Sequence, residues 1–339
     1  MNVEGKAVLI TGGAGFIGSH LVEEYLANKA RKIVVFDDFS TGTMKNLEHI
    51  KNNQLKIVEG SVLDEQKLNR IVKEEQIQII DHLAAELEVY TGIKDSKKDA
   101  DVNIFGTLNV LNTALRNNVG KVLCASSGAV YGEAKYVPID ENHPLEPHWP
   151  YGVSKLSAEH YALQYHKLFG LNTTAFRYGI VYGPREWLGR VLTMFIRRIF
   201  LEDKPPVVFG DGKQVRDFVY VKDVARAHML AIEKDVSKGQ VFNIGSGKGI
   251  LIGELAQLLI DISGKALEVI YDNPPEGEVS RFQPERVRLL GELKKFVLSC
   301  NRAKKVLGWV PSVSFRSGVL EEINWLKFNR NKWDAKPRV

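Results

Sequence analysis

A chain of 339 residues, 44% hydrophobic and 26% charged, is long enough to bury a large core in two lobes, and its balance excludes the disordered and fibrous classes. Lys plus Arg exceed Asp plus Glu by only 46 to 41, too small an excess for a nucleic-acid binder but suited to an anionic small molecule. Two cysteines, Cys124 and Cys300, exclude a disulfide framework or a cysteine metal cage, and no apolar run approaches the ~18 residues of a membrane span.

Short β-branched runs at 7–11, 32–37, 56–59, 77–83, 121–126 and 173–177 alternate with amphipathic stretches at 17–27, 65–75, 101–117 and 151–169. Strand–helix alternation of this kind builds a parallel sheet covered on both faces. The expected fold is therefore α/β, a Rossmann-type doubly wound parallel sheet. From Gly179 the rhythm loosens, with turn signals at Lys204-Pro205-Pro206 and Gly210-Asp211-Gly212. A smaller α/β C-terminal lobe is expected there, dividing the chain into 1–178 and 179–339, with segments around 217–245 candidates to return to the first domain. The N-terminus runs straight into a strand pattern, which leaves no room for a signal peptide. The expected compartment is the cytoplasm, with both thiols reduced.

Thr11-Gly12-Gly13-Ala14-Gly15-Phe16-Ile17-Gly18 follows the first strand and opens the first helix. Glycines in that context permit a tight turn and bring backbone N–H groups to a pyrophosphate at the helix N-terminus. Asp37 ends the second strand, near the ~20-residue distance at which an acid meets the adenosine ribose. A carboxylate there accepts from the 2′-hydroxyl and repels a 2′-phosphate, so the expected cofactor is NAD rather than NADP. Asp37 and Asp38 also begin the turn that runs to Gly42, a bland role that the same residues could fill. Tyr151 and Lys155 lie four residues apart on one helix face. A phenol with a pKa of about 10 acts as a base near neutrality only when a cation, such as Lys155 or an oxidised nicotinamide, stabilises its anion.

Ala125-Ser126-Ser127-Gly128-Ala129-Val130-Tyr131-Gly132 follows an apolar strand, which brings its hydroxyls to the sheet edge where such folds bind ligands. Together with Tyr151 and Lys155, this stretch resembles the extended short-chain dehydrogenase/reductases, especially their nucleotide-sugar epimerase group. The likeness extends through His82-Leu83-Ala84-Ala85, Asn103 with Gly106-Thr107, Arg177-Tyr178, Tyr182-Gly183-Pro184-Arg185 and Gly210-Asp211-Gly212. It continues in Arg216-Asp217-Phe218-Val219-Tyr220-Val221, Asn243-Ile244-Gly245 and Leu307-Gly308-Trp309-Val310-Pro311. It implies that Tyr151 is the general base or acid, that Lys155 holds the nicotinamide ribose and tunes Tyr151, and that Ser127 bonds the reacting sugar oxygen. By the same likeness Gly12, Gly15, Phe16, Ile17, Gly18, Asp37 and Asp38 hold the adenosine diphosphate half. Leu83, Ala84 and Asn103 line the rest of the cofactor cleft. Arg216 grips the substrate diphosphate, with Arg288 a second candidate, since guanidinium forks match phosphate oxygens. No metal is implied. The family pairs its helices at 101–117 and 151–169 across a two-fold axis, so a homodimer is expected.

Fold alone does not decide the reaction, because epimerases, dehydratases, decarboxylases and reductases share this scaffold. The family's 4,6-dehydratases carry an Asp-Glu pair where this chain has Gly128-Ala129, and its decarboxylases carry a Glu at the second of these positions. The expected reaction is therefore inversion at C4 of a UDP-hexose or UDP-hexuronate through a transient 4-keto sugar. The alternatives are a 4-ketoreductase, disfavoured by Asp37, then elimination, and a non-enzymatic NAD-binding regulator, which would typically have lost Tyr151 or Lys155. The chain departs from the epimerase pattern at Gly179-Ile180, where Phe-Asn is usual, and at Val191-Leu192-Thr193-Met194. His148-Trp149 and Glu86-Leu87-Glu88 are also unusual and expected near the pocket, and Phe296 falls where bulk limits sugar size. His82 and His228 are read as packing histidines, and the basic 325–338 stretch as a solvated helix rather than a nucleic-acid or membrane arm.

Overall fold

Alternate residues of the first strand feed two different cores, and this sets the architecture. In β1 (Ala7–Thr11), Val8 and Ile10 enter one hydrophobic cluster while Ala7 and Leu9 enter the other. A strand buried on both faces belongs in the middle of a parallel sheet. The computed structural model, which describes residues 1–330, has this arrangement. Strands β2 (Lys32–Asp37), β3 (Leu55–Glu59), β4 (Ile79–His82), β5 (Lys121–Ser127) and β6 (Thr173–Tyr178) fall within two residues of their expected bounds. They form a parallel sheet in the order β3-β2-β1-β4-β5-β6.

Helices α1 (Phe16–Ala27), α2 (Glu65–Glu74), α3 (Val89–Lys94), α4 (Ser96–Ala100), α5 (Gly106–Arg116) and α6 (Pro150–Phe169) connect these strands. Leu21, Val22 and Tyr25 of α1 join the first cluster, whereas Leu68, Ile71, Val110, Leu111 and Ala162 of α2, α5 and α6 join the second. Pro150 opens α6, where its missing N–H is harmless, and Gly170 at φ +70° closes it. Two details differ from the sequence expectation. The stretch 101–117 starts with a π-helical turn, Asp101–Phe105, before α5 begins. The short helices α3 and α4 were not expected, since six and five residues are too few to display a helical period.

The remaining strands are β7 (Ile180–Tyr182), β8 (Val207–Phe209), β9 (Val215–Tyr220), β10 (Gln240–Ile244), β11 (Gly249–Leu251) and β12 (Ile270–Asp272). The remaining helices are α7 (Val191–Ile196), α8 (Val221–Glu233), α9 (Ile252–Ser263), α10 (Asn301–Leu307) and α11 (Phe315–Phe328). β10 adds to the main sheet beside β6, making seven strands, and α8 packs against α1. The small sheets β11-β9-β7 and β12-β8 stand apart from it, over a third core of residues such as Leu192, Phe195, Phe218, Leu255 and Ile323.

The strand order reverses between β1 and β4, where Thr11 pairs with His82. A crevice at the carboxyl ends of strands forms at such a switch point. No helix among the described residues is long and apolar enough to cross a membrane. Cys124 and Cys300 are both free. The basic residues Lys332, Lys336 and Arg338 lie outside the described residues.

Candidate active site

The glycine turn makes one end of a cleft of about 490 Å³ that opens along the carboxyl edge of the sheet. Gly12 has φ +69°, and a Cβ on it would stand 2.8 Å from the backbone nitrogen of Ala84. A Cβ on Gly18 would stand 2.3 Å from the carbonyl oxygen of Gly12, so the loop closes only with glycine at both places. No side chain caps the first turn of α1 and no acid lies in it. Its N-terminal amides are therefore open to an anion, and Gly15, Phe16, Ile17 and Gly18 line the cleft there. Asp37 is buried at the end of β2, and it accepts from Ala14 N and from Phe39 N, both at 2.9 Å. Burial pushes its carboxyl up, and these two amides pull it back. Asp37 thus starts the turn and also faces the cleft. Asp38 accepts from Ser40 N at 2.9 Å and from Ser40 Oγ at 2.6 Å and lines the cleft beside it.

Ser127, Tyr151 and Lys155 meet on the floor of the same cleft. Ser127 ends β5, in register with Tyr178 of β6, and its Oγ accepts from Ala129 N at 3.1 Å. Burial raises the Tyr151 hydroxyl, while a hydrogen bond with the Ser127 side chain and the charge of Arg190 lower it. Asp99 and Glu88 raise it again. Burial pushes the Lys155 ammonium down to about 8, against the opposing pull of Cys124, Asp99 and Glu159, so it is still largely charged at neutral pH.

Leu83 and Ala84 line the cleft as expected from the resemblance, whereas Asn103 is buried behind its wall. The amide of Asn103 is fully used. It accepts from Glu86 N at 2.9 Å and donates to Glu86 O at 2.9 Å and to Ser154 Oγ at 3.0 Å. Asn103 therefore clamps Glu86, which does face the cleft and is paired with Lys98 at 2.8 Å. His148 and Trp149 anchor the start of α6 rather than line the cleft, with Trp149 Nε1 donating to Leu290 O at 2.7 Å. The ring of Phe296 lies against Gly128, where a Cβ would stand 2.2 Å from its Cζ.

Arg190, Trp187 and Glu186 also line the cleft, beyond the residues expected from the sequence. Arg190 stacks over the Trp187 ring at 4.2 Å and lies 3.9 Å from Glu186. Burial pushes the Glu186 carboxyl up to about 8, and Glu322 of α11 is its neighbour. No spacing rule marks these residues, which a loop brings to the cleft.

A second cavity of about 160 Å³ holds Arg216, Gln214, Phe209 and Glu292. Its other arginine is Arg286, not Arg288. Arg286 is over the Phe209 ring at 4.4 Å and donates to Val207 O at 3.0 Å, while burial lowers its pKa to about 10. Arg288 lies alongside, donating to Asn273 Oδ1 at 2.6 Å and Pro274 O at 2.9 Å, with Glu292 3.7 Å away. Arg190 borders the first cavity and Val191 the second, so the two adjoin.

A doubly wound sheet with an uncapped glycine-opened helix and a phenol–ammonium pair at its switch point defines a dinucleotide-dependent enzyme. A family model described as GDP-mannose 4,6 dehydratase matches residues 9–322. A putative UDP-glucose 4-epimerase of Methanocaldococcus jannaschii is 36% identical over 95% of this chain and 99% of its own. The structure of a Thermotoga maritima UDP-glucose 4-epimerase with UDP-glucose superposes with a TM-score of 0.86 at 35% identity, over 96% of this chain and 99% of that one. A Streptomyces venezuelae dTDP-glucose 4,6-dehydratase with NAD bound superposes with a TM-score of 0.87 at 29% identity, over 97% and 99%. The chain belongs to the NAD-dependent nucleotide-sugar epimerase and dehydratase family of the extended short-chain dehydrogenase/reductases.

Proposed function

We propose that the protein is an NAD-dependent nucleotide-sugar 4-epimerase that inverts C4 of a UDP-hexose or UDP-hexuronate. The observation that carries this reading is the pair Gly128-Ala129 between Ser127 and Tyr131. Neither side chain can move a proton, and the Phe296 ring fills the space beside Gly128. Of the acidic side chains on the cleft, Glu86 is paired with Lys98 at 2.8 Å and Glu186 lies 3.9 Å from Arg190. Expulsion of water from C5 and C6 requires a second acid and base, and C4 inversion does not.

In this reading Tyr151 takes the proton of the sugar 4-hydroxyl and later returns it, Ser127 holds the same oxygen, and Lys155 binds the nicotinamide ribose. NAD, when bound, supplies the acceptor for the C4 hydride and gives it back. Arg216 and its neighbours Arg286 and Arg288 hold the diphosphate as the keto sugar turns, which exposes the opposite face of C4. The cofactor-binding unit comprises 1–178 with the segment around 217–245, and the rest of the chain forms the substrate lobe. Phe296 restricts the sugar end and disfavours N-acetylated sugars. Incubation with UDP-glucose, UDP-galactose and their uronic acids, followed by NMR of the products, tests the reading. The C4 epimer is expected, whereas a 4-keto-6-deoxy sugar or a pentose would sink it. Stoichiometric use of reduced cofactor with a 4-keto sugar would point to the reductase.

Asp37 faces the site proposed for the adenosine ribose, so NAD binds more tightly than NADP, whose 2′-phosphate meets a carboxylate. Asp37→Ala narrows that gap in measured dinucleotide affinities, and equal affinities for the unaltered protein would contradict the role. Assembly as a homodimer is supported by Val153, Tyr161 and Leu168, an exposed apolar stripe on α6, with Phe105 exposed nearby in the chain's adjoining helix. Light scattering at roughly micromolar protein should give the mass of two chains. A monomer would overturn the assignment.

A further inference from the structure

We infer that His82 is a positioning residue for the proton-transfer step, a neutral imidazole protonated on Nε2 that locks the cofactor-cleft wall and the catalytic helix into one register. The inference rests on Tyr151 being the proton carrier. His82 ends β4 at the switch point, is buried, and does not line the cleft. Both of its ring nitrogens are used. Nδ1 lies 2.7 Å from Thr11 Oγ1 and Nε2 lies 2.9 Å from Thr107 Oγ1.

The direction of each bond follows from the supply of protons. Thr107 Oγ1 donates to Asn103 O at 2.6 Å, which commits its only proton. It can therefore only accept from His82, so Nε2 carries the hydrogen. A neutral ring then leaves Nδ1 as an acceptor, and the proton of Thr11 Oγ1 points to it. Thr11 Oγ1 in turn accepts from Ala84 N at 3.3 Å. A doubly protonated ring would make Nδ1 a donor and leave the Thr11 Oγ1 proton without its acceptor there. Burial and the charge of Lys155 oppose that form, holding the imidazole at about 3.

The two ends of this chain reach the two halves of the site. Thr11 precedes Gly12, whose fit against Ala84 sets the cofactor turn. At the other end Asn103 clamps Glu86 at both its N–H and its carbonyl, and bonds Ser154 Oγ. Ser154 Oγ donates to the carbonyl of Tyr151 at 3.1 Å. The wall 83–86 is thus held at Ala84 through Thr11 and at Glu86 through Asn103, with His82 between the two. Asn103 lies in the π-helical turn Asp101–Phe105, a local departure from α geometry of the kind found at functional sites. Through His82 these bonds tie the cofactor turn and the Tyr151 backbone into one connected network.

The test uses the full-length protein with NAD bound. In 15N spectra of the histidine rings, with His82 assigned by loss of its signals in His82→Gln, Nε2 should carry a proton and Nδ1 should be bare. This state should persist between about pH 5 and 9, across the range where an ordinary histidine titrates. An Nδ1–H tautomer or a titrating ring would overturn the inference. In kinetics, His82→Phe should lower kcat roughly 10- to 100-fold, as misplacement on the scale of an ångström does, with the KM of the nucleotide sugar little changed. His82→Gln, whose amide can accept from Thr11 and donate to Thr107, should recover most of that loss. A His82→Phe enzyme with normal kcat, or a Gln variant as slow as the Phe variant, would refute the positioning role. The ring spectra judge the inference even if His82→Phe fails to fold, and they need no substrate. Inactivity on every nucleotide sugar would count instead against the proposed reaction.

Discussion

Tyr151→Phe lowers kcat by at least ~10²-fold while nucleotide-sugar binding persists. The phenol is the proton carrier in both halves of the proposed reaction, so its loss is felt twice in each turnover. The proposed diphosphate contacts lie in the second cavity, with Arg216 and Arg286, away from the substituted hydroxyl. The variant also keeps the aromatic ring, so the helix start at Pro150 is undisturbed. Initial rates and a binding isotherm on the same preparation check this. Near-normal turnover would remove Tyr151 from the mechanism, and lost binding with unchanged kcat would make it a contact residue.

Glu159→Ala unfolds the protein at markedly lower denaturant, by about 3–5 kcal/mol, because it leaves a buried guanidinium unpaired. Arg177 on β6 is 4% exposed, and both its Nε and Nη2 donate to the Glu159 carboxylate on α6, the former at 2.9 Å. Ser126 Oγ donates to the same carboxylate at 2.7 Å, and Arg177 Nη1 donates to Tyr131 Oη at 2.8 Å. Tyr131 Oη donates to Asn243 Oδ1 at 2.7 Å on β10. The group therefore joins β5, β6, β10 and the catalytic helix. Replacing both charged partners by Leu should be far milder than Glu159→Ala, since no buried charge is left over. If the double variant were as unstable as the single one, the interpretation by an orphaned charge would fail.

What was readable before the structure was what lies within one local segment. The glycine turn, Asp37 at a strand end and Tyr151 with Lys155 on one helix face are short-range patterns, so spacing alone exposes them. β1 and β2 read clearly because parallel strands buried on both faces are near-continuous apolar runs, while β3, at the sheet edge, is only partly buried. Residues that gain their meaning from distant partners stayed hidden. Glu159 and Arg177 look like an ordinary helix acid and an ordinary strand arginine until α6 folds over β6. Arg190 and Trp187 enter the cleft on an irregular loop that has no period. Arg286 lines the cavity that holds Arg216 while Arg288 lies alongside, and the two alternate along a stretch where nothing local tells which one turns inward. The sequence alone marks His82 and His228 as packing residues. His228 is indeed buried, bonded to Tyr178 and to Asp81 at 2.8 Å, yet for His82 packing describes only part of what its two nitrogens join.

In the proposed reaction hydride leaves C4 and returns to C4, with no elimination between. A UDP-hexose or UDP-hexuronate that the enzyme accepts, carrying deuterium at C4, tests it most directly, with the label followed by NMR in the product. Under the proposed mechanism the deuterium remains at C4 of the inverted sugar, since the proton that Tyr151 moves is the one on oxygen. Deuterium at C6, or its loss to water, would contradict the account.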